Sequence, residues 1–139
     1  MNKWLRAVCV GAAAAAMLTA SAFAANYTNC ADSLHEMGLF QGTQNGYDLD
    51  RTPTRAEAAV MLVRLLGKET EAKTLTYTAP FTDLKGWEKP YVQYLYSNGL
   101  ANGTSRTTFN PTGKCTAQMY AAFLLRALGY TEADGDFAY

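Results

Sequence analysis

The apolar positions of the chain recur with the spacing of an amphipathic helix in four separate segments. The strongest segment starts at Thr54 and carries a wide apolar face before Gly67 ends it. The other three segments also stop at or near a glycine, and no segment alternates apolar and polar residues as a strand does. The pattern predicts an all-α fold with helices near residues 31–37, 54–66, 90–98 and 116–128.

Two threonines stand where helix N-caps are expected. Thr54 is followed three residues later by Glu57, which is the pattern of a capping box, and Pro53 lies just outside the helix. Thr116 opens the last segment in the same way. We therefore predict that Thr54, Glu57 and Thr116 are structural caps that fix where two of the helices begin.

The second half of the chain repeats the first half. Two glycines return at one constant offset, Gly38 and Gly42 as Gly99 and Gly103. Five further positions return at an offset that is longer by a single position, namely Thr54, Leu62, Arg64, Leu66 and Gly67 as Thr116, Leu124, Arg126, Leu128 and Gly129. A long, regular period is typical of a supersecondary unit that buries its apolar face by stacking on copies of itself. Modules of this kind are more often binders than enzymes.

The repeat predicts how the chain is organised. Repeat 1 would cover residues 25–67 and repeat 2 residues 81–130, each a helix–loop–helix unit. A polar, threonine-rich linker at 68–80 would join them. Residues 131–139 are a short acidic tail that resembles the beginning of a truncated third copy.

The first residues have the composition of a signal peptide. Lys3 and Arg6 form a basic start, an apolar stretch follows, and Ala22-Phe23-Ala24 is a small-x-small cleavage site. Cleavage after residue 24 would leave 139 − 24 = 115 residues. No later segment approaches the roughly 20 apolar residues of a membrane span. We predict a secreted protein, with signal peptide 1–24 and no membrane span in the mature chain.

Removal of Lys3 and Arg6 leaves 12 − 2 = 10 basic and 12 acidic side chains, so the mature chain is close to neutral. A nucleic-acid partner is therefore not expected, because such partners require a basic surface. The mature chain keeps two cysteines, Cys30 and Cys115. For an exported protein these predict a disulfide between the repeats, with two unrelated small core residues as the alternative.

Catalytic chemistry has little support in this sequence. His35 is the only histidine, and no serine or cysteine has an evident base partner, so a nucleophilic triad is not expected. Asp32 and Glu36 stand four residues apart on the first helix, where a solvated face explains them better than a catalytic pair. We predict that the protein is not an enzyme and needs no cofactor.

Metal binding is no better supported. Asp48 and Asp50 faintly resemble a calcium loop, but Ala59 stands where the bidentate glutamate is required. The two cysteines and His35 fall short of a four-ligand zinc site. No metal site is predicted.

The order of motifs resembles the S-layer homology domain. The second half supplies Phe81-x-Asp83, Trp87, Gly99-Leu100-x-x-Gly103 and Phe109-x-Pro111. The first half supplies Gly38-Leu39, Gly42 and Thr54-Arg55-Ala56-Glu57. The resemblance implies a non-covalent anchor to the Gram-positive cell wall that binds a secondary cell-wall polysaccharide, often one bearing acidic ketal groups. It also implies a pseudo-symmetric bundle, usually of three repeats, with ligand sites in the grooves between them.

Three residues are candidate ligand-binding residues. Arg55 lies in the first turn of its helix, where unpaired N–H groups and the helix dipole favour an anion, and its planar guanidinium suits a carboxylate. The alternative is a solvated arginine beside a plain capping box. Trp87 would stack on a sugar ring or pack over its own helix as core. Asp83 would accept hydrogen bonds from sugar hydroxyls or cap a helix. The sequence predicts one composite groove formed by Arg55, Asp83 and Trp87.

The second half has Thr116-Ala117-Gln118-Met119 where the first has Thr-Arg-Ala-Glu, so it keeps the cap and loses the arginine. Each half therefore carries only part of the pattern. The predicted function is a non-catalytic module of the cell wall or cell surface that binds an acidic wall polysaccharide. The alternative is a structural module without glycan binding, which associates with copies of itself or with other repeats of the same family.

Overall fold

The computed structural model describes residues 27–74 and 76–139, so the predicted signal peptide lies outside the described residues. The described residues contain helices and isolated two-residue bridges, and no strand. The predicted all-α fold is confirmed. Its helices are α1 (Thr28–Glu36), α2 (Arg55–Leu65), α3 (Glu69–Thr74), α4 (Lys89–Ser97) and α5 (Ala117–Ala127).

The starts of α2 and α5 are fixed by threonine caps. The hydroxyl of Thr54 accepts a hydrogen bond from the N–H of Glu57 at 3.2 Å, and the Glu57 carboxylate accepts one from the N–H of Thr54 at 2.7 Å. This is the predicted capping box. At α5 the hydroxyl of Thr116 accepts from the N–H of Met119 at 3.2 Å. A cap of this kind stabilises a helix by about 1 kcal/mol.

The core lies around α2, which packs against α3, α4 and α5. Its fully buried side chains come from both halves of the chain, and the largest are Leu62, Val63, Val92, Leu95, Phe109 and Phe123. The helix α1 contributes only Ala31 to the buried residues and packs directly against none of the other described helices. An open groove therefore separates α1 from α2.

The segment predicted to be a linker, residues 68–80, contains the short helix α3, which was not predicted. The Glu69 carboxylate accepts hydrogen bonds from Arg64 at 3.0 Å, Lys73 at 2.8 Å and the Tyr91 hydroxyl at 2.7 Å. Ala72, on the same short helix, is only 1% exposed. So short a segment cannot show a helical period, and α3 is held by these side-chain contacts to its neighbours.

The loops that precede α2 and α5 have matching backbone conformations. Asp48 and Asn110 correspond at the same offset as Thr54 and Thr116, and both adopt positive φ, at 54° and 59°. Gly38 and Gly99, which end α1 and α4, have φ values of 71° and 69°. Left-handed backbone is uncommon for a residue other than glycine, so its presence at both Asp48 and Asn110 supports the correspondence of the two loops. The boundaries of the two repeats remain a prediction.

The tail folds back onto the end of α5. Arg126 forms an ion pair with Glu132, and its guanidinium carbon lies 5.8 Å and 5.9 Å from the ring centroids of Phe137 and Tyr139. Within residues 27–74 and 76–139, no helix is long and apolar enough to cross a bilayer.

Candidate functional site

A concave surface lies between α1 and α2, in the form of a groove with a volume of about 580 Å³. Residues from α1, the loop after it, α2 and the segment that enters α4 line it. Its apolar lining includes Leu34, Phe40, Tyr47, Met61, Trp87 and Tyr91. A mostly apolar cleft with a few polar groups is the usual form of a small-molecule site.

Trp87 stands at this groove as an exposed aromatic side chain, with 61% of its surface accessible. The turn that carries it is fixed by Glu88, whose carboxylate accepts hydrogen bonds from the N–H groups of Lys85 at 2.9 Å and Gly86 at 3.0 Å. Of the two sequence-based alternatives for Trp87, core packing is therefore wrong. The ring is available to a ligand.

Arg51 is a groove residue that sequence reasoning missed. Its guanidinium donates two hydrogen bonds to the Glu57 carboxylate, at 2.8 Å and 2.6 Å, and a third to Asp48 at 2.5 Å. The Arg51 pairing holds the pKa of Glu57 at about 2. Arg51 precedes Thr54 of the capping box by three residues. This spacing could have indicated the contact from sequence, because the Glu57 carboxylate that caps α2 can also accept two hydrogen bonds from an arginine.

Arg64 forms the second polar contact of the groove. Its Nε donates to Glu69 at 3.0 Å and its Nη2 to the side-chain oxygen of Gln41 at 3.0 Å. The pKa of Glu69 lies at about 2, chiefly because Arg64 and Lys73 donate to the carboxylate. Arg64 therefore ties α2 to α3 and to the loop after α1.

Arg55 does not point outward, and its predicted role in an open ligand site is wrong. The residue is 3% exposed. Its Nε donates to the carbonyl of Phe109 at 2.8 Å, its Nη2 donates to the carbonyl of Asn102 at 2.9 Å, and the guanidinium carbon lies 4.5 Å from the centre of the Phe109 ring. Burial lowers the pKa of the guanidinium. The arginine is held by carbonyl oxygens and a ring face, which together replace its water.

The amino end of α2 is not an open anion site either. The N–H of Arg55 donates to the carbonyl of Gly113 at 2.8 Å, and the N–H of Ala56 donates to the carbonyl of Pro111 at 3.0 Å. The N–H of Glu57 is taken by the Thr54 cap. These donors were expected to face a ligand, and the loop before α5 occupies them instead.

Asp83 braces the same loop from another side. Its carboxylate accepts hydrogen bonds from the N–H groups of Phe109 at 2.9 Å and Asn110 at 2.7 Å. Burial alone would raise the pKa of Asp83, but these backbone donors hold it below its ordinary value. Asp83 therefore caps a loop and not a helix. Arg55 and Asp83 both hold the Phe109 peptide and do not line the groove of Trp87, so the predicted composite groove does not form.

The predicted disulfide between Cys30 and Cys115 is also wrong, since both are free thiols. Cys30 is exposed on α1 and lines the groove. Cys115 is 3% exposed, and burial raises the pKa of its thiol. The reason lies in the packing: α1 makes no contact with α5, whereas Cys115 is enclosed where the chain enters α5. Cys115 is thus a small core residue, as the alternative had it, and Cys30 is not.

The residues considered for catalysis have structural partners. Asp32 accepts a hydrogen bond from the Tyr47 hydroxyl at 2.8 Å, and His35 Nδ1 lies 3.0 Å from the carbonyl oxygen of Phe40. In the part of the chain that the structure describes, no group of three histidine, cysteine, aspartate or glutamate side chains is placed to hold a metal ion.

Comparison with known proteins indicates a class of cell-surface proteins. Over 119 residues the chain is 33% identical to the Middle cell wall protein of Brevibacillus brevis, a match that covers 84% of this chain and 11% of that protein. It is 32% identical over 100 residues to the Surface layer protein of Brevibacillus choshinensis, covering 70% of this chain and 9% of that protein. An Endoglucanase of a Bacillus species matches at 37% over 62 residues, which is 43% of this chain and 7% of the enzyme.

The family within that class is identified for one segment. Residues 80–116 match the S-layer homology domain, so the resemblance predicted from the sequence is confirmed there. The matched segment contains Asp83, Trp87 and the loop that Arg55 clasps. The chain spans 7% to 11% of the length of these three relatives, and the endoglucanase match covers a small share of that enzyme. The family match and the two surface-protein relatives point to a surface module.

Proposed function

We propose that the chain is a non-catalytic cell-surface module that anchors to the cell wall by binding wall polysaccharide in the groove between α1 and α2. The single observation that carries the proposal is Trp87, an aromatic ring 61% exposed at the edge of a groove of about 580 Å³. An exposed aromatic side chain beside a concave, mostly apolar surface is a suitable platform for a bound ring. Its face can cover the apolar side of a sugar ring and leave the hydroxyls free.

The polar groups of the groove suit sugar hydroxyls. Asp48 offers the carboxylate oxygen that Arg51 does not bind, Gln41 and Thr43 offer neutral amide and hydroxyl groups, and all three line the groove. A set that contains both donors and acceptors can pair with hydroxyls, which are themselves donors and acceptors. The groove is thus chemically matched to a neutral stretch of polysaccharide.

The preference for an acidic glycan loses its proposed carrier, because Arg55 is buried. The two guanidiniums that line the groove already face carboxylates, Arg51 at 2.5 Å from Asp48 and 2.6 Å from Glu57, and Arg64 at 3.0 Å from Glu69. A ligand carboxylate would have to displace an existing ion pair. We therefore propose that hydroxyls and ring faces, and not ketal acids, supply most of the affinity.

Attachment at the cell surface follows from the same proposal. Two of the relatives carry the names Middle cell wall protein and Surface layer protein. Export would be directed by the signal peptide predicted at residues 1–24. The larger proteins contain much beyond this length, so cargo and assembly are not assigned to this chain.

The test is co-sedimentation with purified wall polysaccharide. Wild type and Trp87→Ala would be compared with Tyr130→Ala, an aromatic residue that is 49% exposed and does not line the groove. Removing a stacking platform should weaken binding by roughly tenfold, whereas Tyr130→Ala should bind like wild type. Equal binding by all three proteins, or binding by none, would reject the groove as the glycan site.

A second arm uses polysaccharide from which mild acid has removed the ketal-linked acid groups. We expect the affinity of wild type to stay within about threefold, because no unpaired guanidinium of the groove awaits those acids. A loss of binding on this material would restore the acidic-glycan interpretation.

A further inference from the structure

Three asparagines of the chain are followed directly by glycine, namely Asn45, Asn98 and Asn102. In such a pair the backbone nitrogen of the glycine can reach the side-chain carbonyl carbon of the asparagine, because glycine has no side chain in the way. The pair is therefore chemically reactive, and the surrounding structure decides how fast it reacts. All three asparagines are exposed, so exposure alone does not rank them.

The reaction is deamidation, and its only co-reactant is water. The glycine nitrogen gives up its proton and forms a bond with Cγ of the asparagine, while the bond between Cγ and Nδ2 breaks and the amide nitrogen leaves with that proton as ammonia. The product is a succinimide ring. Water then opens the ring at either of its carbonyl carbons, which leaves aspartate in the normal backbone or isoaspartate, whose backbone runs through Cγ.

Asn98 is held in a geometry that opposes this reaction. Its side-chain Nδ2 donates a hydrogen bond to the carbonyl of Tyr94 at 2.8 Å, which turns the amide back along α4. The N–H of Gly99 donates to the carbonyl of Tyr96 at 3.0 Å. Both reacting groups thus have partners, and Tyr94 belongs to the buried core. The end of α4 would have to unwind before the ring could form.

Asn102 is held through its backbone. Its carbonyl accepts a hydrogen bond from Arg55 at 2.9 Å, so the peptide group that contains the nitrogen of Gly103 is fixed. A Cβ built on Gly103 would overlap Phe81 and the carbonyl oxygen of Thr108, so this glycine is closely packed. The ring forms only after rotation about backbone and side-chain bonds, which the packing of the loop before α5 opposes.

Asn45 lies in a small turn that is held only by its own residues. The N–H of Gly46 donates to the Thr43 carbonyl at 3.1 Å, and the N–H of Asn45 donates to the Thr43 hydroxyl at 3.1 Å. In the described part of the chain, no hydrogen bond holds the side-chain amide of Asn45, and none joins residues 43–46 to the rest of the molecule. So small a unit can open without disturbing the core, and its opening frees the nitrogen of Gly46.

We propose that Asn45 is a self-modification site, at which the folded protein converts an amide into aspartate and isoaspartate at the rim of the groove. Thr43 and Tyr47, on either side of Asn45, both line the groove. The reaction places a negative charge between them, and the isoaspartyl form also adds one methylene to the backbone of the turn. The longer backbone would shift the pairing of Thr43 with Gly46 out of register. This inference does not depend on glycan binding.

The test is a peptide map of the folded protein after incubation at mildly alkaline pH, where the attacking nitrogen loses its proton more readily. Samples taken over time are digested at acidic pH, which limits further deamidation, and mass spectrometry measures the conversion of each asparagine. We expect Asn45 to convert at least about tenfold faster than Asn98 or Asn102, because its turn opens alone. In guanidinium chloride all three should convert within about threefold of one another, since each is followed by glycine.

Two variants make the result specific. Asn45→Gln lengthens the side chain by one methylene and requires a larger ring, so it should abolish conversion at this position and leave the rates of Asn98 and Asn102 unchanged. Thr43→Ala removes the hydroxyl that accepts from Asn45 and donates to the carbonyl of Gly46. It should speed the conversion of Asn45 about threefold, with circular dichroism to confirm that the protein is folded.

Two outcomes would overturn the inference. The first is conversion of Asn98 or Asn102 in the folded protein as fast as that of Asn45. The second is an Asn45 that stays intact in the folded protein over the time in which it converts in guanidinium chloride. Neither outcome would bear on the binding of polysaccharide by freshly prepared protein.

Discussion

The loop before α5 and the loop before α2 have similar turns and very different surroundings. The loop before α5, here called the closed loop, is held by hydrogen bonds to Arg55 and Asp83, and its Phe109 is fully buried. The loop before α2, here called the open loop, faces an open groove. Its Tyr47 is only half-buried, with its ring centroid 5.4 Å from that of Phe40. Similar local structure therefore becomes core in one half and the exposed wall of a groove in the other. The difference is whether a helix start with an arginine covers the loop.

The largest effect on stability is expected from removing Arg55, which holds the closed loop. Arg55→Ala would leave the buried carbonyl of Phe109 without a donor, remove the partly buried hydrogen bond to the carbonyl of Asn102, and open a cavity beside the Phe109 ring. The free energy of unfolding should fall by about 3 kcal/mol, because unsatisfied buried groups and lost packing add together. Urea denaturation measures this loss.

The matched control is Arg106→Ala in an exposed part of the same loop, which should change stability by less than about 0.5 kcal/mol. If Arg55→Ala were no more destabilising than this control, the closed loop would not depend on its hydrogen bonds from Arg55.

A slightly smaller effect is expected at Gly103, which opens the closed loop. A Cβ there would overlap Phe81 Cε1 and the carbonyl oxygen of Thr108. Gly103→Ala should therefore cost about 2 kcal/mol through overpacking. At Gly86 an added Cβ meets only the Glu88 carboxylate, a side-chain end that can shift more readily than backbone, so Gly86→Ala should cost less. Thermal unfolding of both variants compares them, and equal midpoints would contradict the close packing of the closed loop.

The ion pair between Arg51 and Glu57, beside the open loop, should make the free energy of unfolding depend on pH in the acid range. The folded-state pKa of Glu57 is about 2, against an ordinary value of 4.5, because Arg51 donates to the carboxylate. A depressed pKa means that this stabilisation is complete above about pH 4.5 and is lost as the pH falls toward 2. The free energy of unfolding should therefore decline over that window.

Glu57→Gln removes the titrating carboxylate and should flatten this decline, whereas Glu36→Gln on the exposed face of α1 should leave its slope unchanged. Urea titrations at a series of pH values between 2 and 6 measure the slope. An unchanged slope in Glu57→Gln would show that the Arg51 contact does not control the acid response.

The smallest effect concerns the thiols of Cys30 and Cys115, studied in a Cys9→Ser background, which report the same contrast without altering the fold. Cys30 is exposed at the groove and should react with a thiol reagent in the native protein. Cys115 is 3% exposed and has a raised thiol pKa, so it should react only after unfolding. Thiol counting in native and denatured protein, with Cys30→Ser as the reference, measures both. A native protein without any reactive thiol would contradict the open groove.

The helices were predictable from sequence because their signals are local. Thr54 and Glu57 are three residues apart, and both groups of the capping box lie within one helical turn. The apolar face of α2 is likewise read from neighbouring positions. By contrast, α3 is held by contacts of Glu69 with Arg64 and Tyr91, which no period in so short a segment could reveal.

The site was less predictable because its key contacts are distant in sequence. Arg55 donates to Phe109 and Asn102, which lie 54 and 47 residues away, so its burial could not be read from its helix. Residue type alone could not decide whether Trp87 lies in the core or at the surface. The disulfide was predicted because an exported protein lies in an oxidising compartment. Whether Cys30 and Cys115 can bond depends on whether α1 and α5 are in contact, which the sequence does not show.

The fluorescence of Trp87 during titration with wall polysaccharide tests the central claim most directly. In a Trp4→Phe variant, Trp87 is the sole remaining tryptophan of the chain. A sugar ring that covers the indole should displace water and produce a saturable blue shift of its emission. Emission that stays unchanged while the protein demonstrably sediments with the polysaccharide would contradict binding at this groove.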